Sequence, residues 1–544
     1  MFMLLKSASL AAPPVVNTTL GYVRGATLDG VDVFRGIPYA KPPIGSLRWK
    51  PPEWASPYGS VLDALADRDG CPQKCALPAH TCPDTMSEDC LWLNVFTPAS
   101  AASARAPLKK VLFFIHGGDF IQGYCGGPLY DGTSFARDHD VVLVSANYRL
   151  GALGFLYSGD DPSTQFTGNF GLLDQRLALE WAQANVARFG GDPQQVTIFG
   201  QSAGGMSVAC HLTSPASEPL FARAIVQSDP LALPFRTTKN YPSFTKEVAK
   251  KAKCAKALSG KPYEGCMRGL TWEEVVDAQD AAQKDLLVEV GHFLDLFVPF
   301  SPTVGTADLP RQPFEAIVSG EMQDKPVVLG SVANEGVIFV HEAFSGPESR
   351  TEEDGLLSVA FGLSTLPELL KAYPRSGHDK AAHDMRNHTS RVSTDALFHC
   401  SIRHAALALT AQPNRTSPTW VYHFEHVPSF PSIWMPNFPY CADVVCHAAE
   451  LPFLFRANTS LAFANVTLTP GEAMMAEQMQ TYWAQFANDA APAASWPQFG
   501  AAAEAAMVFA APNSTGGGHA TGAVDGEYKA KCGFWEGTGF DWIL

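Results

Sequence analysis

The chain has 544 residues, 46% of them hydrophobic and 17% charged, a balance that supports a large fold with a deep core. Its formal net charge of −15 argues against nucleic acid or an anionic membrane as partner. No apolar run approaches the roughly 18 residues that a membrane-crossing helix needs. Met1 to Leu5 is apolar, but Lys6 interrupts it, which leaves a short core for an export signal. Residues 1–14 are therefore expected to be a leader or loose terminus, and no later linker divides residues 15–544.

Short strands open the ordered chain: Tyr22-Val23-Arg24, then Val31 to Arg35 across the turn dipeptide Asp29-Gly30. Residues 71–90 are polar and carry Cys71, Cys75, Cys82 and Cys90 beside His80. A metal site there lacks any C-x-x-C pair, so a disulfide-closed loop is the expectation and no metal is predicted. Strand signals follow at Glu88–Phe96, at Val111–Ile115 and at Val141–Ala146. Leu173, Leu177 and Trp181 recur at helical spacing, Phe189-Gly190-Gly191 ends that helix, and Asp192-Pro193 turns into a further strand. Ala224–Ser228, Pro326–Gly330 and Thr419–Phe424 repeat the strand pattern, and Met475, Met479, Tyr482, Trp483 and Phe486 mark a late amphipathic helix packed on the core. Strands alternating with helices predict an α/β fold with a mostly parallel sheet covered on both faces.

One turn carries chemistry. Val196 to Phe199 runs into Gly200-Gln201-Ser202-Ala203-Gly204, a G-x-S-x-G elbow in which a sharp strand-to-helix turn lifts a serine hydroxyl clear of the sheet. Such a bend crowds the backbone, so Gly200 and Gly204 must be nearly free of side chain. A serine nucleophile then needs a base to take its proton and a carboxylate to orient that base. Fifteen histidines are available. Downstream of the elbow His399, His404, His423, His426 and His447 are the candidates, the first four read as surface or strand histidines.

These residues resemble the type-B carboxylesterase/cholinesterase family of α/β-hydrolases. The resemblance runs from Phe34-Arg35-Gly36-Ile37-Pro38-Tyr39-Ala40 through Glu88-Asp89-Cys90-Leu91, Asn169–Gln175 and Gly200–Gly205 to the C-terminal helix. It implies a large, mostly parallel twisted sheet, a triad of Ser202, Glu335 (in Asn334-Glu335-Gly336) and His447 (in Cys446-His447-Ala448-Ala449-Glu450), and no cofactor. Asp308 and Asp354 lack the setting of Glu335. It also implies an oxyanion hole from the backbone N–H groups of Gly117, Gly118, Asp119 and Ala203. Asp119 departs from the family, which has a third glycine there. It leaves an N–H in place and adds a carboxylate near the developing negative charge. Asp229, after Gln227-Ser228, is a second glycine-to-aspartate departure, expected to share a cause with the first. The resemblance further implies the disulfides Cys71–Cys90, Cys254–Cys266 and Cys400–Cys532. Proximity adds Cys75–Cys82 and Cys441–Cys446, leaving Cys125 and Cys210 free.

The expected function is hydrolysis of small to medium carboxylic esters through an acyl-enzyme, with a small-molecule ester as substrate. A choline ester is disfavoured, because a quaternary ammonium needs an aromatic face and no Trp, Tyr or Phe lies between Cys71 and Cys90. A lipase with that loop as lid, and a non-catalytic adhesion protein of the same fold, are the alternatives. Six Asn-x-Ser/Thr sequons, at Asn17, Asn387, Asn414, Asn458, Asn465 and Asn513, join twelve cysteines in predicting a secreted or secretory-lumen glycoprotein.

Overall fold

The computed structural model describes residues 12–540 except 79–80, 103–106, 164, 255–262, 287–297, 378, 380–382, 460–462, 464–465, 512–521 and 526–528. Residues 1–11 of the expected leader or loose terminus, His80, Asn465, Asn513 and the last four residues thus lie outside the described residues. Eleven strands pair into one sheet. In chain order they are β1 (Ala26–Leu28), β2 (Val31–Pro38), β3 (Trp92–Pro98), β4 (Lys109–Ile115), β5 (Val142–Ala146), β6 (Gly191–Gln201), β7 (Arg223–Gln227), β8 (Val327–Val332), β9 (Thr419–Phe424), β10 (Ala505–Phe509) and β11 (Gly522–Asp525). Their spatial order is β11-β10-β9-β8-β7-β6-β4-β5-β3-β2-β1. All pairings from β5 across to β10 are parallel. Antiparallel strands close both ends. A separate small sheet joins Val15–Thr18, Gly21–Arg24 and Leu62–Asp63.

The central strands are apolar without interruption because both sheet faces are covered. Along β4, Val111, Phe113 and Ile115 point into one core, while Leu112 and Phe114 point into the other. Helices α1 (Phe170–Asn185) and α2 (Ala203–Thr213) cover the first face, through Leu177, Trp181, Val208 and Leu212. Met475, Met479, Trp483 and Phe486 of α4 (Pro470–Asp489) cover the second. Between them in sequence, the short helix α3 (Gly336–Ala343) follows β8. No described helix is long and apolar enough to cross a membrane.

Three boundaries differ from the sequence reading. The strand expected from Glu88 begins at Trp92, because Arg48 holds the Glu88 carboxylate (Nε–Oε1 2.6 Å) and keeps that residue off the ladder. β6 starts at Gly191, pairing Gly191 with Lys109 before a register shift restores the ladder at Val111. α1 ends at Asn185, and a tight turn over Val186–Phe189 leads to Gly190, whose φ of 83° suits glycine.

Five disulfides are formed: Cys71–Cys90, Cys75–Cys82, Cys254–Cys266, Cys400–Cys532 and Cys441–Cys446. Cys125 and Cys210 are buried free thiols. Among the described residues no group of three or more His, Cys, Asp or Glu side chains is placed to hold a metal ion. Of the described sequons, Asn17, Asn387 and Asn414 are exposed and Asn458 is half-buried.

Candidate active site

The site forms where four strands end along the carboxyl edge of the sheet, the usual position for ligands in an open α/β sheet. In register, Ile115 of β4 lies beside Gly200 of β6, and Gln227 of β7 lies beside both Gln201 and Gly330. The loops after β4, β6 and β8 therefore leave the sheet side by side. At the end of β6 the chain turns within one residue. Ser202 has φ 60° and ψ −127°, a conformation costly for a residue with a side chain, and its N–H donates to Gln227 O at 2.9 Å. The turn is possible because its flanks are bare. A Cβ on Gly200 would stand 2.5 Å from Gly204 O, and one on Gly204 would stand 2.1 Å from Ile115 O.

Glu335 and His447 reach the same place from loops far apart in sequence. Glu335 is fully buried; Oε1 accepts the Val332 N–H at 2.8 Å and Oε2 lies 2.5 Å from His447 Nδ1. The two loops are laced together: Asn334 N–H donates to Val445 O at 3.0 Å, and Val445 N–H donates to Asn334 Oδ1 at 3.1 Å. The Cys441–Cys446 disulfide braces the His447 loop from the next residue. His447 Nε2 lies 3.0 Å from the side-chain nitrogen of Gln201. An amide N–H donating there leaves the proton on Nδ1, which is the tautomer of a competent base. The Phe339 and Phe398 rings meet the imidazole at centroid distances of 5.0 and 5.7 Å.

The loop after β4 lies against the elbow; a Cβ on Gly117 would come 2.5 Å from Gln201 O and 3.0 Å from Ser202 Cβ. The N–H groups of Gly117, Gly118 and Asp119 donate to no described residue. Ala203 opens α2, so its N–H is one of the unpaired donors at a helix N-terminus. Asp119 has φ 54°, the left-handed region where glycine is easiest and aspartate is tolerated better than most residues. That accounts for a glycine at this position in the family and for aspartate as the replacement here. His116 is neutral and structural. Burial pushes it down to about 4, its ring stacks on Tyr148 at 4.5 Å, and Nδ1 lies 2.9 Å from Gly117 O.

Electrostatically the site is acidic around one imidazole. Burial lowers the His447 pKa, but the Glu335 charge and hydrogen bond outweigh it, with Glu450 and Asp119 adding to them, and the net direction is upward. Burial pushes Asp119 up to about 6, held back only by the His447 charge. Glu450, fully buried near Glu335 and His447 with Oε1 accepting from Gln227 Nε2 at 3.2 Å, is pushed up to about 7 by burial. A cavity of about 790 Å³, solvent at its mouth included, joins Ser202, His447, Gly117, Gly118 and Asp119 to an apolar wall of Leu129, Ile338, Phe339, Trp434 and Phe438.

Sequence reasoning missed Gln201, Glu342, Trp434 and Phe438 as members of this site. Glu342 carried a signal, since it lies seven residues after Glu335 and on the helix that follows it. The aromatic face absent between Cys71 and Cys90 is supplied by Phe339, Trp434 and Phe438. Of the rival histidines, His423 is a buried strand residue and His426 lies 2.9 Å from Glu472. His404 is partly buried between Phe314 and Phe540. His399 is neither a surface nor a strand residue. It is buried in a helical turn, with Nδ1 3.1 Å from Asp395 Oδ1 and Nε2 2.9 Å from Val332 O. Asp308 pairs with Arg176, and Asp354 with Arg375. The expected common cause of Asp119 and Asp229 is not found. Asp229 lines a separate small cavity between α2 and the Leu231–Phe235 loop, and burial raises its pKa well above the usual carboxylate range.

A family model described as the carboxylesterase family matches residues 12–535. The chain is 34% identical over 491 residues to para-nitrobenzyl esterase of Bacillus subtilis (strain 168), covering 89% of this chain and 92% of that one. It is 37% identical over 469 residues to the crystal protein of Dictyostelium discoideum (86% and 80% covered), and 33% identical over 518 residues to cocaine esterase of Oryctolagus cuniculus (90% and 91%). A solved PNB esterase structure superposes with a TM-score of 0.78 at 30% identity, covering 96% of this chain and 99% of that one. With the fold, the family model and these relatives in agreement, the chain belongs to the carboxylesterase family of α/β-hydrolases, and carboxylic-ester hydrolysis is the chemistry that membership supports.

Proposed function

We propose that the protein is a serine carboxylic-ester hydrolase that works through an acyl-enzyme, with Ser202 as nucleophile, His447 as base and acid, and Glu335 orienting the imidazole. The observation that carries this reading is the strained Ser202 turn opening into the cavity that His447 lines, with Glu335 behind the imidazole. Ser202 Oγ bonds to the ester carbonyl carbon as its proton passes to His447 Nε2. The tetrahedral oxyanion is met by N–H groups of Gly117, Gly118, Asp119 and Ala203, and such donors are worth about 3–4 kcal/mol each in transition-state stabilisation. The bond to the alcohol oxygen then breaks as His447 returns the proton to that oxygen. Water attacks the acyl-serine, losing its proton to His447, and Ser202 regains a proton as the acid departs.

In the free protein Gln201 holds Nε2, so the imidazole must exchange the amide N–H for the Ser202 hydroxyl when substrate enters. A hydrogen bond of this kind contributes about 1 kcal/mol net, which substrate binding readily offsets. The apolar cavity wall suits esters of small to medium size, and five disulfides with three exposed sequons support a secretory, glycosylated protein.

Hydrolysis of p-nitrophenyl esters from acetate to palmitate, by wild type and Ser202→Ala, tests the activity. The expectation is a maximum at short chains and a loss of about 10⁴-fold or more in the variant. Equal rates for the two proteins, with no covalent labelling by a fluorophosphonate, would refute it and favour a binding role. A maximum at long chains would reassign the substrate to lipid esters.

A further inference from the structure

Among the described residues, two carboxyl groups in the catalytic cavity have no lysine or arginine to answer them. Asp119 and Glu342 both line it, and neither makes a hydrogen bond or ion pair with a described residue. Asp119 is half-buried, whereas Glu342 is exposed on the solvent side of the cavity. Among the described residues no lysine or arginine lines the cavity, and His447 is the one basic side chain that does. Desolvation pushes Asp119 up to about 6 and Glu342 up to about 7, and the Asp119 charge raises Glu342 further. Some buried carboxylates elsewhere in this protein are paired, Asp174 with Arg149 and Glu353 with Arg375 and His388, while Asp229 and Glu450 lie closed in the interior; Asp119 and Glu342 differ from these in facing a cavity that a ligand can enter. Leaving the half-buried Asp119 carboxyl unpaired costs free energy that a bound cation would recover, and Glu342 adds a second acceptor at the solvent side of the same cavity.

The chemistry fixes which part of the substrate they meet. His447 returns a proton to the departing alcohol oxygen, so the wall beside His447 contacts the alcohol portion of the ester. Phe339 packs on that imidazole, and Glu342 follows it by three residues on α3, one turn along the same face. Trp434 and Phe438 complete that wall.

We propose that this cavity selects esters whose alcohol portion carries a protonated amine, with its N–H groups donating to Asp119 and Glu342. The inference rests on Ser202 acting as the esterase nucleophile. Carboxylates accept hydrogen bonds as well as attract charge, so recognition by them favours an ammonium that has an N–H over one fully methylated. Recognition by aromatic rings alone makes no such distinction, because a ring face responds to charge.

Three acetate esters of similar shape test this at about pH 7.5: those of 2-(dimethylamino)ethanol, 2-(trimethylammonio)ethanol and 3,3-dimethylbutan-1-ol. The readout is the ratio of kcat/KM values within each protein. In wild type, the protonated dimethylamino ester is expected to exceed the neutral ester by about tenfold or more, and the trimethylammonio ester by several-fold. Glu342→Gln and Asp119→Asn should each move the first ratio toward one. Equal kcat/KM for charged and neutral esters in wild type overturns this inference alone, as does a trimethylammonio ester that is the best substrate. Failure of wild type to hydrolyse any of the three, without fluorophosphonate labelling, overturns the esterase reading with it.

Discussion

Two buried Glu–His pairs sit in this molecule, and they are nearly indistinguishable from the carboxylate side. Glu335 meets His447 Nδ1, and Glu353 meets His388 Nδ1, with all four side chains buried. The difference is at the other ring nitrogen. His388 Nε2 lies 2.7 Å from Tyr373 O, an acceptor, and Glu353 is shared with Arg375 (Nε–Oε2 2.6 Å). His388 therefore faces an acceptor at each ring nitrogen, and neither nitrogen opens to the catalytic cavity. His399, between Asp395 and Val332 O, repeats that arrangement. His447 Nε2 faces an amide donor and a cavity instead. Pairing with a carboxylate thus makes an ordered imidazole. A ring nitrogen that faces a donor at the edge of a cavity keeps the lone pair that a base requires.

Breaking each pair should separate these roles. Glu335→Gln is expected to lower kcat by about 10⁴-fold, because the carboxamide neither stabilises the imidazolium nor selects the Nδ1–H tautomer. Its thermal midpoint should move much less than its rate. His388→Gln should do the reverse. Removing one partner of a buried ionic network destabilises by about 3–5 kcal/mol. The rate per active site, counted by fluorophosphonate titration, should stay that of wild type. Urea denaturation beside titrated kcat checks both variants. A His388→Gln protein that folds normally but loses kcat would overturn the distinction.

The sequence made some of this legible and concealed the rest for a physical reason. The elbow could be read because its causes are local: a β-branched strand, glycines where the backbone crosses Ile115 O and Gly204 O, and small residues opening a helix. The parallel sheet could be read because uninterrupted apolar strands imply two covered faces. His447 could not be separated from His399 by pattern, since His399 has Asp395 four residues upstream while the carboxylate that His447 meets lies 112 residues away. Its selection came from the resemblance carried by Cys446-His447-Ala448-Ala449-Glu450. The contacts that shape the site join distant positions, Gln201 to His447 and Glu335 to His447 across 246 and 112 residues. No periodicity encodes such separations. Asp119 was legible as a departure, but its unpaired state in the cavity depends on Glu342 and Trp434, which only the fold brings near. The start of β3 was misplaced for the same reason, because Arg48, which claims Glu88, lies forty residues upstream.

The smaller effects concern pH, and two substitutions around His447 should act with opposite sign. With the neutral His447 imidazole as the proposed base, kcat/KM is expected to rise with pH through the His447 pKa, which lies above its ordinary value. Gln201→Glu replaces a donor at Nε2 with a carboxylate that favours the imidazolium. The rising limb should move to higher pH, with kcat/KM on its flank lower by about tenfold. Asp119→Asn removes a negative charge that favours the imidazolium, so the limb should move to lower pH. This shift should be the smallest, because Asp119 contributes less to His447 than Glu335 and Glu450 do, and itself takes up a proton at about 6. Profiles of kcat/KM for a neutral ester, whose own charge is constant, isolate the imidazole from any recognition of substrate by Asp119. If Gln201→Glu moves the limb and Asp119→Asn leaves it in place, the Asp119 charge does not reach His447. A preference for cationic esters would then have to come from Glu342 and the aromatic wall without help from the triad side of the cavity.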